Sequence, residues 1–451
     1  FLIIPLRKSG ALRRIVNTTC IDLGIQCLLR TNHWPFGVAA MALGRGDPAH
    51  MGDADDGIVD AELIEGDVVD DLEGEDPEYG SEDDGADGDD GDEGRVHTVL
   101  EDDSFHCFDG HQDAIVSVAW NPARPDVVAS GGCDDTAFLW RVGQDAYEDS
   151  AGSMGTVELG GHTDTVAALA FNSTGNMLAT AGMDGQCKIW DVPEGRLRHS
   201  LEGSGGALQW LSWHPRGDVV VAGTDDCMVY MWNAATGAVM QVFSGHCGAV
   251  SAGCFTPDGK SVVSVGGEED ASLRVWNPRT GECSLTIQGH PFHESGINCV
   301  ALHRDGSGAA ITGGEDGCVC ISNVSTGRVA GRLTGHEDSV EAVGLSPHLP
   351  LAASASLDGK LLVWDCGSLS ARGACEHPSS ITRMCWHPTE PLVFTACLDG
   401  ASRCWDLRTG SCVRTYGGHE DAVQDICLSP DGSMLLTGAD DGTARVFKVK
   451  P

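Results

Sequence analysis

A segment of about 42 residues recurs eight times in this chain, and the repeat constrains the fold more than any other feature. In its clearest copy, Gly335 to Asp365, a Gly-His pair precedes an alternating apolar run, a small-residue run that ends at Leu-Asp-Gly, and an aliphatic run that ends at Trp-Asp. Such runs, bounded by turn residues, indicate strand, turn, strand, turn, strand. The tryptophan position recurs at intervals of 41 to 50 residues, at Trp140, Trp190, Trp232, Trp276, Ser322, Trp364, Trp405 and Phe447.

An aspartate stands six residues before each of these positions, in all eight copies. These residues are Asp134, Asp184, Asp226, Asp270, Asp316, Asp358, Asp399 and Asp441. In its period and in its Gly-His and Trp-Asp dipeptides, the repeat resembles that of the WD40 family. In that family each repeat supplies four strands to a propeller blade. The resemblance implies an all-β, eight-bladed WD40 β-propeller over residues 96–451.

A His, a Ser or Thr, an Asp and a Trp recur together, and they invite comparison with a catalytic triad. Because the set is present several times, a structural role is the better interpretation: the indole N–H holds the hydroxyl, and the imidazole joins the hydroxyl to the carboxylate. We therefore predict no catalytic residues. In repeats one, two, six and seven the sets are His111, Ser130, Asp134, Trp140; His162, Thr180, Asp184, Trp190; His336, Ser354, Asp358, Trp364; and His377, Thr395, Asp399, Trp405.

Other repeats depart from the full set. Gly266 stands in the hydroxyl position of repeat four, and repeats three, five and eight each lack a member, with His290 taken as the Gly-His histidine of repeat five. We expect the blades of repeats three, five and eight to depend mainly on their apolar strands.

The last repeat ends too early for a fourth strand, since only Lys448 to Pro451 follow its third. The segment of about 96–109 stands where the other repeats have an outer strand. We predict that this segment completes the last blade, which removes a free sheet edge.

The first hundred residues differ from the repeats. Residues 1–40 are basic and do not begin with Met, which suggests an artefact upstream of the true start or, less well, a targeting-like extension. Residues 41–95 include 21 acidic residues and no Lys or Arg between Asp53 and Glu93, so we expect an acidic disordered segment.

The formal net charge of −39 favours a basic protein partner over direct contact with nucleic acid. No apolar run is long enough for a membrane span. The 19 Cys are scattered singly through predicted strands without metal-ligand spacing, so we predict no metal and no cofactor. We also expect a monomer.

Acidic residues crowd the loops around one predicted channel mouth. A ring of carboxylates attracts Lys- or Arg-rich segments, although a merely solvated acidic face is the alternative. Trp210, beside the missing Gly-His of repeat three, is either an aromatic binding anchor or a filler of the gap. The candidate partner-binding residues are Asp113, Asp135, Asp164, Trp210, Asp225, Glu268, Glu269, Glu315, Glu337, Asp338, Glu420, Asp421 and Asp440.

Particular stretches resemble a group of WD40 proteins that act as dedicated chaperones of one large-subunit ribosomal protein. These are the acidic front segment, Ala207 to Asp226, Cys320 to Gly331 and the terminal ARVFKV. The resemblance implies a non-enzymatic scaffold that shields a basic ribosomal protein during ribosome assembly. We expect it in the cytoplasm, with the nucleus as a second location. The alternatives are a substrate receptor of a cullin-RING ubiquitin ligase, suggested by Trp405-Asp406-Leu407-Arg408, and a cell-migration or signalling scaffold.

Overall fold

The computed structural model describes residues 100–143 and 155–449, and this part of the chain forms 32 β-strands and no helix. The strands are grouped in eight four-stranded antiparallel sheets. The prediction of an all-β, eight-bladed propeller is confirmed. The interpretations of residues 1–40 and 41–95 lie outside the described residues.

Seven blades are each built from four consecutive strands, which follow one another from the centre of the ring outwards. Blade 1 holds β2 (Ile115–Trp120), β3 (Val127–Gly132), β4 (Ala137–Arg141) and β5 (Val157–Leu159); blade 2 holds β6 (Val166–Phe171), β7 (Met177–Gly182), β8 (Cys187–Asp191) and β9 (Arg196–Leu201). Blade 3 holds β10 (Leu208–Trp213), β11 (Val219–Thr224), β12 (Met228–Asn233) and β13 (Ala238–Ser244); blade 4 holds β14 (Val250–Phe255), β15 (Val262–Gly266), β16 (Leu273–Trp276) and β17 (Cys283–Ile287). Blade 5 holds β18 (Ile297–Leu302), β19 (Ala309–Gly314), β20 (Cys318–Asn323) and β21 (Arg328–Thr334); blade 6 holds β22 (Val340–Leu345), β23 (Leu351–Ser356), β24 (Lys360–Asp365) and β25 (Ser370–Glu376). Blade 7 holds β26 (Ile381–Trp386), β27 (Leu392–Cys397), β28 (Ser402–Asp406) and β29 (Ser411–Tyr416).

The eighth blade contains both ends of the described chain. Its strands β30 (Val423–Leu428), β31 (Met434–Ala439) and β32 (Ala444–Lys448) are completed on the outside by β1 (His106–Phe108). In the register of this last pair, His106 lies opposite Val446 and Phe108 lies opposite Ala444. Two ion pairs fasten the segment just before β1 to the ring: Asp102 pairs with Arg445 of β32 in blade 8, and Asp103 pairs with Arg414 of β29 in blade 7.

Burial explains why small and aliphatic residues fill the middle strands. Strands such as β3 and β23 are buried at every residue, since blades pack on both of their faces. Outer strands are mostly exposed; in β25 only Cys375 is buried. Each innermost strand contacts that of the next blade, and β30 contacts β2, so the ring is closed.

Candidate functional site

A hydrogen-bonded chain of four side chains fastens four of the eight blades, and blade 6 shows its geometry. The Trp364 indole N–H donates to Ser354 Oγ over 2.7 Å, the Ser354 hydroxyl lies 2.7 Å from His336 Nε2, and His336 Nδ1 lies 3.0 Å from Asp358 Oδ2. Since the indole donates to the hydroxyl, the hydroxyl donates to Nε2, and the remaining Nδ1–H donates to the carboxylate. Burial lowers the pKa of His336 and keeps the ring neutral. Blades 1 and 2 repeat this chain.

Blade 4 also carries the complete chain, and the expectation that it lacks a hydroxyl was wrong. His246 lies 2.7 Å from Ser264 Oγ and 2.5 Å from Asp270 Oδ2, and Trp276 donates to Ser264 over 2.8 Å. Two extra residues in the turn that contains Glu268 and Glu269 place the serine twelve residues before the tryptophan instead of ten.

In blade 5 the histidine of the chain is His293, not His290. His293 Nε2 lies 2.8 Å from Thr312 Oγ1, and its Nδ1 lies 3.2 Å from Asp316. His290 is 80% exposed, because the three-residue extension of this loop moves the Gly-His pair away from the blade. The hydrogen-bonded set of blade 5 lacks only its tryptophan, because Ser322 stands in that position.

Blade 7 contains all four expected residues, but they do not form the expected chain. Asp399 pairs with Arg403 over 2.5 Å, and His377 Nδ1 lies 3.1 Å from the Cys375 carbonyl oxygen. Trp405 lies 3.0 Å from His377 Nε2. An arginine in β28 therefore captures the carboxylate that the histidine bonds in other blades, which the spacing of the four residues did not reveal.

We expect Asp358→Ala to lower the free energy of unfolding by about 3 kcal/mol and Asp399→Ala by about 1 kcal/mol. Asp358 accepts hydrogen bonds from His336 and from the backbone N–H groups of Glu337 and Lys360, whereas Asp399 forms an ion pair that is partly exposed to solvent. Urea unfolding of both variants checks the difference. Equal losses would show that the histidine bond adds nothing.

We call the face that holds the loops before each innermost strand and the turns between second and third strands the upper face. Eight equivalent backbone bonds order its inner ring: the residue after each second strand donates its N–H to the residue before the first strand, as Asp440 does to Ala422. The residues of this inner ring, from blade 1 to blade 8, are Cys133, Met183, Asp225, Gly267, Glu315, Leu357, Leu398 and Asp440.

The remaining acidic candidates lie just outside the inner ring. Asp113, Asp164, Asp338 and Asp421 each accept a hydrogen bond from the N–H of the next residue, which fixes the loop before the innermost strand. Exposed acidic side chains accompany them in these loops and in the turns of blades 1 and 4. These are Glu337 and Glu420, then the partly exposed Asp135, and Glu268 and Glu269.

The upper face differs from the opposite, lower face in charge. Between Asp109 and Thr443, none of the loops and turns that the structure describes on the upper face contains Lys or Arg. The described residues of the lower-face turns include six, at Arg124, Arg216, Lys260, Arg279, Arg304 and Arg408. Lys360, at the start of β24, pairs with Glu337 over 2.8 Å. The other carboxylates of these loops add to one negative potential, so the upper face is suited to a cationic segment.

Two carboxyl groups, the partly buried Asp440 and the buried Glu341, have pKa values raised by their own burial and by this crowding. Burial, helped by the neighbouring carboxylates Asp421, Asp441 and Asp113, raises the pKa of Asp440 to about 6, although Gln424 Nε2 donates to it over 2.8 Å. Burial likewise raises the pKa of Glu341, which is 3% exposed. A cation placed beside either group favours its ionised form.

We expect Asp440→Asn to stabilise the fold at pH 7.5 by about 1 kcal/mol. Because the pKa of Asp440 is higher in the folded protein than in the unfolded chain, its ionisation opposes folding above pH 6, and the cost disappears as the pH falls through 6 towards 4. Unfolding measured at pH 7.5 and pH 4.5 checks this. A stabilisation that persists at the lower pH would contradict it.

Trp210 lies in the core between blades 3 and 4 rather than on the binding surface. It is 8% exposed, and its indole N–H donates to the Val250 carbonyl oxygen over 3.0 Å. The ring fits because Gly223 and Gly253 lack a side chain; a Cβ on either would come within 2.5 Å of it. This position favours the gap-filling alternative over the anchor.

Sequence reasoning missed charged residues of the innermost strands. Glu341, Arg383 and Asp425 belong to β22, β26 and β30, and Arg383 is exposed. Asp425 Oδ2 accepts the Val118 N–H over 2.8 Å, which joins blade 8 to blade 1. A single charged residue in an otherwise apolar strand was the available signal.

Within residues 100–143 and 155–449, no three His, Cys, Asp or Glu side chains are placed to hold a metal ion. A search of the same residues finds no helix long and apolar enough to cross a membrane.

The chain belongs to the WD-repeat family. The profile of the WD domain, G-beta repeat matches residues 103–141, 154–191, 195–233, 237–277, 281–322, 327–365, 372–406 and 410–448. With its eight-bladed fold, the protein is of the class of WD-repeat scaffolds for protein interaction.

Among individual proteins, the chain is 32% identical over 364 residues to the angio-associated migratory cell protein of Homo sapiens, across 77% of this chain and 81% of that protein. It is 31% identical over 359 residues to an uncharacterized WD repeat-containing protein of Schizosaccharomyces pombe, across 78% of this chain and 88% of that one. Of solved structures, it is similar to Chaetomium thermophilum Sqt1 bound to the N-terminus of the ribosomal protein L10, with a TM-score of 0.68 and 25% identity, across 77% of this chain and 100% of that one.

Proposed function

We propose that this protein is a chaperone that holds a basic segment of a large-subunit ribosomal protein on its upper face until the ribosome takes it up. The observation that carries this proposal is the charge of the upper face, whose described loops and turns contain acidic residues and no Lys or Arg. Ribosomal proteins bind RNA through basic residues, and an unassembled one exposes them to any polyanion. An acidic face covers such residues by charge complementarity.

The similarity to Sqt1 bound to the N-terminus of L10 supports this partner class. The acidic run between Asp53 and Glu93 adds negative charge to the same chain. Long-range attraction of this kind raises the association rate with a basic partner and weakens with salt. We place the encounter in the cytoplasm, where ribosomal proteins are made, with transfer into the nucleus as an extension.

A solubility assay tests the chaperone activity. Purified L10 of the same species, diluted from denaturant into physiological salt, is expected to scatter light, and an equimolar amount of this protein to suppress most of the scattering. Asp338→Lys with Asp421→Lys should abolish protection, whereas the lower-face control Glu194→Lys with Asp258→Lys should retain it. Loss of protection in both variants, or in neither, would contradict the proposal.

The ubiquitin-ligase alternative rests on Arg408. This residue is 63% exposed on a lower-face turn, and its guanidinium pairs with Asp406 over 2.8 Å. Adaptor binding that collapses in Arg408→Ala would support the alternative, whereas binding of L10 should be unchanged in that variant.

A further inference from the structure

The channel mouth on the upper face has two acidic clusters that lie on different sides of the ring. The first, at the junction of blades 5 and 6, consists of Glu315, Asp338 and Glu341. Both Glu315 and Asp338 act on Glu341 through space and raise its pKa beyond the larger effect of burial. Ser295 donates to Glu315 over 2.9 Å and Asn298 to Glu341 over 3.4 Å, so neutral groups hold these carboxylates in place.

The second cluster lies where blades 7, 8 and 1 meet, and consists of Asp113, Asp421 and Asp440. Asp113 and Asp421 are the negative neighbours that add to the burial of Asp440. The turn before β32 and the loop before β2 approach each other closely here: a Cβ on Gly442 would lie 3.4 Å from the Asp113 carbonyl oxygen. Each cluster therefore concentrates several carboxylates within the reach of one or two cationic side chains.

The sector between the clusters has a different character. Its inner-ring residues are Leu357 and Leu398, both partly exposed, and the loop before β26 reads His377-Pro378-Ser379-Ser380 without an acid. Ser380 is tied to the Leu357 carbonyl oxygen over 2.7 Å. Arg383, exposed in the wall of the channel below this loop, is the one cation on the eight innermost strands. Arg383 interacts electrostatically with Glu341 and Asp425, which flank it on the neighbouring innermost strands. The apolar rim above it offers no partner to a basic side chain and accepts apolar ones.

The size of the ring sets the distance between the clusters. Packed sheets lie about 10 Å apart, and Glu315 of blade 5 is three blades away from Asp440 of blade 8, so these two carboxyl groups lie roughly 20 to 25 Å apart across the mouth. An extended chain rises about 3.3 Å per residue, so roughly six to eight residues cross this distance.

We propose that the upper face selects an extended segment with two basic groups about six to eight residues apart and apolar side chains between them, which lie on Leu357 and Leu398. The inference rests on the proposed function and specifies which basic segments the face prefers. Two linked contacts bind more tightly than either alone, provided that the linker spans both sites. Spacing and the apolar middle thereby distinguish one basic protein from the many others in the cell.

Three synthetic peptides test this inference against the full-length protein by fluorescence anisotropy. The first has Arg-Arg at both ends of a six-residue spacer with two Leu, the second has the same ends with a two-residue spacer, and the third has a six-residue Gly-Ser spacer. We expect the first to bind at least tenfold more tightly than either of the others.

Variants assign the parts of the segment to the surface. Glu315→Gln with Asp338→Asn, and separately Asp113→Asn with Asp440→Asn, should each reduce the preference for the long spacer to less than threefold. Leu357→Ser with Leu398→Ser should weaken the Leu-containing peptide about fivefold and leave the Gly-Ser peptide unchanged. Glu194→Gln with Asp258→Asn on the lower face is the matched control and should change nothing.

The outcomes separate the two proposals. If the short and long peptides bind equally and still depend on upper-face carboxylates, the two-ended selection is wrong and the chaperone proposal stands. If no peptide depends on these carboxylates, both are wrong.

Discussion

Phe108→Ala is expected to lower the free energy of unfolding by about 4 kcal/mol, as large truncations of buried aromatic residues do. Phe108 is 4% exposed, and its ring stacks on Trp140 with a centroid distance of 4.9 Å and an interplanar angle of 8°. It belongs to β1, which completes blade 8, and it packs against blade 1 in the same cluster as Ile115 and Val118. Losing it removes contacts that join β1 to blade 1 and to β31 and β32 of blade 8.

Phe105→Ala is the matched control, because it makes the same chemical change three residues earlier. Phe105 is 48% exposed, and its main partner is Lys448, whose Nζ lies 4.1 Å from the ring centroid. We expect a cost below about 1 kcal/mol. Denaturant unfolding followed by tryptophan fluorescence compares the two variants. Similar costs for both would show that β1 contributes little to ring closure.

Trp210→Ala is expected to have a similarly large effect, a loss of about 4 kcal/mol, because it leaves a cavity between blades 3 and 4 and an unpaired Val250 carbonyl oxygen. Trp210→Phe keeps most of the packing and should cost about half as much. Unfolding curves of both variants measure these losses.

Binding separates the two interpretations of this tryptophan. At a temperature where Trp210→Phe is fully folded, its affinity for the L10 segment is expected to equal that of the unsubstituted protein. A tenfold loss of affinity without loss of stability would restore the anchor interpretation.

Fold class and blade number could be predicted from the sequence, because the same motif residues recur in each blade at nearly the same interval. The eight Asp residues before the Trp position and the eight profile matches count the same blades. The hydrogen-bonded sets of His, Ser or Thr, Asp and Trp were harder to predict. In blades 4 and 5, insertions of two and three residues changed the spacing on which the assignment depended.

Blade 7 shows a different limit, since its spacing is regular and its partners still differ. Arg403 competes for Asp399, and the outcome depends on geometry that a sequence pattern does not contain. Similarly, the acidic loops were evident in the sequence, but their arrangement as two clusters with Leu357, Leu398 and Arg383 between them required the order of blades around the ring.

The most direct test of the central claim is the salt dependence of binding between the full-length protein and a peptide of the L10 N-terminus. For the unsubstituted protein we expect affinity to fall steeply as salt rises from 50 to 300 mM. The variant with Glu315, Asp338, Glu420 and Asp421 each replaced by Lys should bind at least a hundredfold more weakly at the lower salt. Equal affinity of the two proteins, or binding that is insensitive to salt, would contradict the claim that the acidic upper face holds the basic segment.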